Sequence, residues 1–187
     1  MKDDIIPMLI KNQASSSVGS STLRGMGKRI AQQARESLMT IDPRKYSNAS
    51  TEHQFLTLLE SDTKKIMKSF SYDNRKNWGA ARKVLNIFLR NLTYNKYTCK
   101  ARKLAHIEKW LEVPLDSNVA KGLRTTQIKT GLEPKLLPWK SIKGLEKEES
   151  NNYQIVASKI AKKKRLNRVD LDICYWRNIG TEYLKDC

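Results

Sequence analysis

The amino-acid sequence predicts an all-α fold, a compact helical bundle, on three observations. Apolar residues recur every three or four positions over long stretches, which places them on one face of a helix. Strict alternation of apolar and polar residues, the pattern of a half-buried strand, is hard to find. Residues that cap or break helices separate the periodic stretches from one another.

Four helices are predicted in the first half of the chain, over residues 3–12, 23–38, 51–70 and 79–92. A polar, serine-rich loop follows the first of them and offers caps for the second. The second helix ends before Asp42-Pro43, because proline disfavours a helical residue in front of it. The third opens at Ser50 or Thr51, and the fourth carries a stripe of apolar residues after a small-residue start.

Four further helices are predicted over residues 104–111, 116–123, 145–165 and 169–176. Val113-Pro114-Leu115 ends the first, and Asp116 stands where the N-cap of the next belongs. Residues 131–143 contain two prolines and have a glycine at or near each end, so they form a loop. The helix over 145–165 ends in a basic run.

The length of 187 residues fits one domain. We therefore expect a single helical unit over residues 1–187 that contains a DNA-binding cleft. If the cleft divides this unit into two lobes, one combines about residues 1–50 with 140–187, and the other is 51–139.

Composition argues against several classes of protein. The three cysteines, Cys99, Cys174 and Cys187, are odd in number, lack metal-ligand spacing and are accompanied by only two histidines. We expect reduced thiols, no metal and no cofactor. No stretch approaches the roughly 20 apolar residues of a membrane span, and the N-terminal residues make a poor signal peptide. The sequence thus predicts a cytoplasmic protein with no membrane contact and no obligate protein partner.

The chain is strongly basic, with a formal net charge of +17. Residues 61–130 alone carry sixteen Lys and Arg against five Asp and Glu. Such a field attracts polyanions, and nucleic acid is the commonest of these in the cytosol. A solubilising surface, a ribosome and an acidic membrane are the alternatives, and nucleic acid is favoured among them.

Two segments carry the most chemical information. Trp78-Gly79-Ala80-Ala81-Arg82-Lys83 opens a helix, where small side chains permit a close backbone approach to DNA and the basic pair can meet a phosphate. A helix with a solvated basic face gives the same pattern. Downstream, Val113-Pro114-Leu115-Asp116-Ser117-Asn118-Val119 places an aspartate at the start of another helix.

These segments resemble two motifs of the endonuclease III and 8-oxoguanine glycosylase superfamily, its helix-hairpin-helix and its later Asp-Thr-His-Val element. Gly79, Arg82, Lys83, Asn86 and Leu89 fall in roughly matching places of the first motif. Asp116 matches the aspartate of the second. The hairpin Gly-Val-Gly of the superfamily is Gly-Ala-Ala here, its histidine after the aspartate is Asn118, and its iron–sulfur cysteine cluster is absent.

The resemblance implies a DNA glycosylase that flips a damaged or modified base out of double-stranded DNA. It gives Lys83 the place of the amine nucleophile of bifunctional members. It gives Asp116 the place of the carboxylate that stabilises positive charge on the sugar or deprotonates the attacking group. Where Lys83 does not attack, Asp116 activates water instead. The plain alternatives are an N-cap for Asp116 and a phosphate contact for Lys83.

Other residues complete the predicted site. The predicted DNA contacts follow the two motifs and are Gly79, Arg82, Ser117, Asn118, Lys121 and Arg124. The predicted base pocket is aromatic and acidic and consists of Trp78, Asp172, Tyr175 and Trp176. Core burial is the alternative for the aromatic residues, and an ion pair with Arg168 or Arg177 is the alternative for Asp172.

The run of residues 19–28, which contains three glycines and several hydroxyls at a helix start, resembles an anion nest without the spacing of a nucleotide-binding loop. A phosphate-contacting loop and a simple capped helix fit it equally well.

Three functions are consistent with these observations. The leading hypothesis is a DNA N-glycosylase of base excision, acting in DNA repair or in antiviral defence against phage DNA with modified bases. The second is a non-catalytic helix-hairpin-helix DNA-binding protein. The third is a basic protein associated with RNA or the ribosome.

Overall fold

A computed structural model describes residues 2–19, 21–71 and 76–176, without the side chains of 2–4 and 176. This part of the chain is helical and contains no strand, which confirms the all-α prediction. Its α-helices are α1 (Lys2–Ser16), α2 (Lys28–Met39), α3 (Arg44–Ser47), α4 (Glu52–Ser69), α5 (Trp78–Tyr94), α6 (Lys96–Arg102), α7 (Ser117–Thr130), α8 (Lys147–Lys164) and α9 (Leu171–Trp176). Short 3-10 helices lie at Ala105–Trp110, Ile142–Gly144 and Arg168–Asp170.

Polar caps fix the ends of the helices that carry the motifs. The Thr51 side chain accepts a hydrogen bond from the backbone N–H of Gln54, so Thr51 caps α4 as predicted. Asp116 caps α7, also as predicted. Gly131 closes α7 in the left-handed conformation, with φ of 64°, which glycine adopts without steric cost.

Several predicted helix boundaries are wrong, and two of them have a clear physical reason. Helix α2 begins at Lys28 rather than residue 23, because Gly25 and Gly27 have positive φ angles of 78° and 85° and interrupt helical geometry. Helix α1 continues to Ser16 through the expected polar loop, since Ala14 of its last turns is fully buried. Burial in tertiary structure here outweighs the low helix propensity of serine and asparagine.

Helix α5 is the centre of the fold. Twelve of its 17 residues are buried, and it contacts α1, α2, α4, α6, α8 and the 142–144 turn. Its most extensive contact is with α4, which precedes it in the chain. The link between these two helices includes residues 72–75, which lie outside the described residues, and Gly79-Ala80-Ala81 is itself helical.

The buried residues form two hydrophobic clusters, and the second motif belongs to the C-terminal one. The N-terminal core comprises buried residues from Ile10 to Leu111, together with Val169. The C-terminal core comprises buried residues from Val113 to Leu171. The chain passes from one to the other at Glu112, whereas the lobes we expected divide near residues 50 and 140. Lys83 lies on the N-terminal side of this division, and Asp116 lies on the C-terminal side.

Gly79 is the point at which α5 meets the 142–145 segment. A Cβ on Gly79 would lie 2.6 Å from the carbonyl oxygen of Ile142 and 2.7 Å from the Cβ of Leu145. Backbone atoms cannot move aside cheaply, so we expect Gly79→Ala to lower the free energy of unfolding by about 1–3 kcal/mol, even though alanine has the higher helix propensity. Urea unfolding measures this. Gly144→Ala is the control, because its Cβ meets nothing closer than 3.8 Å; equal midpoints for the two variants would contradict the close contact.

No helix among the described residues combines the length and the apolar character that a bilayer-spanning segment requires.

Candidate functional site

Lys83 is a buried lysine in the middle of the fold. Only 8% of its surface is exposed, and its Nζ donates a hydrogen bond to the backbone carbonyl of Thr22 at 3.0 Å. Helix α5 supplies Lys83, and the turn after α1 supplies the carbonyl. A buried lysine with a single neutral acceptor is poorly compensated for the water it has lost.

The pKa of Lys83 is accordingly lowered. Burial is the largest cause, the carboxylate of Asp116 acts in the opposite direction, and the guanidinium of Arg24 lowers the pKa further. Charged groups from two other parts of the chain therefore act electrostatically on Lys83 of α5: Arg24 from the 21–27 turn and Asp116 from the start of α7. A lysine whose pKa is lowered has more neutral amine at a given pH, and the neutral amine is the nucleophile.

Asp116 is half-buried and uses one oxygen as a helix cap. Its Oδ1 accepts hydrogen bonds from the backbone N–H groups of Asn118 at 2.9 Å and Val119 at 3.0 Å. Its Oδ2 accepts none from the residues that the structure describes. The N-cap alternative for Asp116 is thus confirmed, and the second oxygen is left for another partner.

The space beside Lys83 is narrow. A crevice lined by Lys83, Asn86, Leu115 and Gln154, among others, admits no water-sized probe, so a flipped base does not fit there in this conformation. A larger cavity of about 500 Å3, lined by Glu112, Gln154 and Arg168 among others, has neither Lys83 nor Asp116 in its wall.

The predicted base pocket is not brought together. Trp78 lies at the first turn of α5, where its Nε1 donates to Glu60 at 3.3 Å and the Arg82 guanidinium lies 5.1 Å from the ring centre. Asp172 of α9 is buried and forms an ion pair with Arg90, which lies on α5 twelve residues after Trp78. At about 1.5 Å of rise per residue, Trp78 and the Arg90 that pairs with Asp172 are roughly 18 Å apart along the axis of α5.

The other two residues of the predicted base pocket, Tyr175 and Trp176, do not form a pocket with Trp78 or Asp172 in the part of the chain that the structure describes. Tyr175 packs on Gly122 of α7, where a Cβ would lie 2.3 Å from the Tyr175 ring, and its hydroxyl is 3.2 Å from Thr126 Oγ1. The side chain of Trp176 lies outside the described residues. The ion pair of Asp172 with Arg168 is not formed, since the partner of Asp172 is the part-buried Arg90, and Arg177, the other alternative partner, lies outside the described residues.

Two predicted DNA contacts are enclosed by protein. Gly79 is buried beneath the 142–145 segment. Arg82 is 4% exposed, and two of its guanidinium nitrogens donate to the Glu112 carboxylate, Nε to Oε2 at 2.9 Å and Nη2 to Oε1 at 3.0 Å. Its remaining nitrogen, Nη1, donates to Thr63 at 3.0 Å. Neither residue presents a free group to a phosphate here.

The other predicted DNA contacts lie at the N-terminal half of α7. Ser117, Asn118 and Lys121 are exposed in its first turns, immediately after Asp116. Arg124 is half-buried, and its Nε donates to the carbonyl of Leu136 at 3.3 Å. An exposed polar and basic surface thus adjoins the Asp116 carboxylate.

Glu112 is the important residue that sequence reasoning missed. It is fully enclosed, and besides Arg82 it accepts a hydrogen bond from Asn86 Nδ2 at 3.0 Å. Burial acts to raise the pKa of Glu112, but Arg82, Arg168 and the Asn86 hydrogen bond outweigh it and hold the pKa below its ordinary value. One signal was present: a glutamate within the otherwise apolar run Trp110 to Leu115 requires a buried cation.

No group of His, Cys, Asp and Glu in the described part of the chain is arranged to hold a metal ion. Comparison with protein-family models, with curated proteins and with solved structures finds no match to the chain, so the family resemblance rests on the two sequence motifs.

Proposed function

We propose that this protein is a DNA N-glycosylase that excises a damaged or modified base by base flipping. The observation that carries the proposal is that the Asp116 carboxylate acts electrostatically on Lys83, a buried amine with a lowered pKa. The two residues come from the two motifs of the resemblance and lie 33 positions apart in the sequence. Exposed Ser117, Asn118 and Lys121 beside them offer contacts to the phosphates that flank the nucleotide.

In the bifunctional course, the lone pair of the Lys83 amine forms a bond to C1′ of the everted nucleotide. The N-glycosidic bond breaks, and its electron pair leaves with the base, which takes up a proton. The amine loses a proton, and opening of the sugar ring with protonation of O4′ then gives a Schiff base. Asp116 Oδ2 stabilises the positive charge that develops on the sugar.

In the monofunctional course, water takes the place of the amine. Asp116 accepts a proton from the water as its oxygen bonds to C1′, and the base leaves with the electron pair of the broken bond. In both courses the nucleotide must reach Lys83 and Asp116. Since the crevice there is closed to water, entry requires the N-terminal and C-terminal cores to separate locally, forming the DNA-binding cleft.

The test uses duplexes that carry candidate bases, including genomic DNA and modified phage DNA. Free base identified by mass spectrometry, and strand scission at one position after heating in alkali, support the proposal. Strong DNA binding without base release from any of these substrates would contradict it.

Lys83→Met is expected to abolish trapping of a protein–DNA adduct by borohydride, because only an imine formed by the amine is reduced to a stable link. Trapping by the unsubstituted protein should rise with pH through the lowered pKa of Lys83. The yield of trapped adduct therefore reaches its plateau at a lower pH than it would for an exposed lysine, which titrates at about pH 10.4. Lys96→Ala, which removes an exposed lysine at the start of α6, is the control. Undiminished trapping in Lys83→Met would assign the adduct to another amine.

A non-catalytic DNA-binding module is the second candidate function. It is favoured by the closed crevice and by the hydrogen bond from Lys83 to Thr22, which together give Lys83 a structural role. This function predicts salt-dependent DNA binding that survives Lys83→Met and no release of base.

A further inference from the structure

The turn of residues 21–27 forms one side of the Lys83 site. Thr22 supplies the carbonyl that binds the Lys83 amine at 3.0 Å. Leu23 and Met26, 5% and 7% exposed, anchor the turn in the N-terminal core. The turn is therefore held in place on both sides of Arg24, which lies between these contacts.

Arg24 itself points away from the core. Its side chain is exposed and makes no hydrogen bond or ion pair with the residues that the structure describes. Its guanidinium is nevertheless close enough to Lys83 for its charge to act on that amine. Two basic residues thus stand against the single carboxylate of Asp116, and Arg24 keeps its charge whatever the protonation state of the Lys83 amine.

An exposed guanidinium that has no hydrogen-bond or ion-pair partner among the described residues is suited to an anion. Guanidinium binds phosphate through two parallel N–H···O bonds, a geometry that an ammonium group does not provide. We propose that Arg24 binds a backbone phosphate of the DNA beside the nucleotide that Lys83 and Asp116 receive. This inference rests on the proposed function for the identity of the ligand, and it adds the 21–27 turn as a second DNA-contacting segment, separate from α7.

The first test is the salt dependence of DNA binding, measured by fluorescence anisotropy with a duplex that contains a tetrahydrofuran abasic-site analogue. Arg24→Ala is expected to reduce the slope of log K against log salt concentration by about 0.9, the contribution of one phosphate. Arg29→Ala removes the same charge from an exposed position in the first turn of α2 and is the matched control. Arg24→Gln, which keeps most of the side chain, repeats the measurement if Arg24→Ala does not fold. An unchanged slope in the Arg24 variant, or an equal reduction in Arg29→Ala, would overturn the inference.

The second test locates the phosphate. Neutral methylphosphonate groups are placed one at a time along the strand that carries the analogue. One position near the analogue is expected to weaken binding of the unsubstituted protein and to leave binding of Arg24→Ala unchanged. The absence of any such position within the nucleotides next to the analogue would refute the contact.

These tests do not depend on base release. An Arg24 phenotype in a protein that releases no base leaves the inference standing and removes the glycosylase proposal. Base release without an effect of the Arg24 substitution supports the glycosylase proposal and removes the inference about Arg24.

Discussion

Replacing Asp116 with asparagine is expected to reduce the rate of base release at least about a hundredfold, the usual effect of removing one electrostatic stabiliser of a transition state. Asparagine caps helices as well as aspartate does, so its Oδ1 can still accept from the N–H groups of Asn118 and Val119. Only the charge at the second oxygen is lost. Single-turnover kinetics measure the base release, and anisotropy measures the DNA binding, which should be retained.

Asp116→Ala is the companion variant. It removes the charge and the cap together, so it should also lower the free energy of unfolding by about 1 kcal/mol. A normal rate of base release in Asp116→Asn would reduce Asp116 to a helix cap and remove its catalytic role.

The second large effect is expected at Glu112. Glu112→Gln removes the closer counter-charge of the buried Arg82 guanidinium and leaves only Glu60, whose Oε2 is 3.7 Å from Nη1. Breaking a buried pair in this way is expected to cost about 3 kcal/mol of unfolding free energy, the lower end of the usual range. Urea unfolding at pH 7 measures the loss. Asp42→Asn, which breaks the exposed Asp42–Arg44 pair, should have a far smaller effect. Similar losses in the two variants would show that Glu112 is not electrostatically important.

The same ion pair has a pH signature. The folded-state pKa of Glu112 lies below its ordinary value, so the folded state binds fewer protons than the unfolded state as acid is added. The stabilisation is therefore complete above the ordinary carboxyl range, about pH 4.3, and is lost as the pH falls through the lowered folded-state pKa. Glu112→Gln should lack this part of the acid dependence, and a double variant Arg82→Met with Glu112→Leu should regain stability at pH 7.

Local signals in the sequence predicted what is local in the structure. The caps at Thr51 and Asp116 were predictable because a cap depends on side chains and N–H groups within three residues. The helical stripe of α5 was predictable from its apolar spacing. The partner of Arg82 was not, because Glu112 is 30 positions away and no local pattern links the two.

The positions of several predicted site residues were not predictable, for the same reason. Arg82 and Lys83 look like a solvated basic pair in the sequence, but α5 is enclosed on nearly all sides, and the charges are buried with it. Asp172 and Trp78 both suit a base pocket by chemical type. Asp172 of α9, however, pairs with Arg90 near the end of α5, whereas Trp78 lies in the first turn of α5 beside Arg82. Such placements depend on how distant helices pack, which residue types alone do not reveal.

The passage of the chain between its two cores at Glu112 has a mechanical consequence. The carboxylate of this residue is bound to Arg82 and Asn86 of α5, so the start of the C-terminal core is anchored to the helix that carries Lys83. Asp116 belongs to the C-terminal side of this anchor, whereas the Lys83 amine is held by the Thr22 carbonyl on the N-terminal side. Any change in the packing of the two cores would therefore change the separation between the amine and the carboxylate, the two groups that the proposed function needs together.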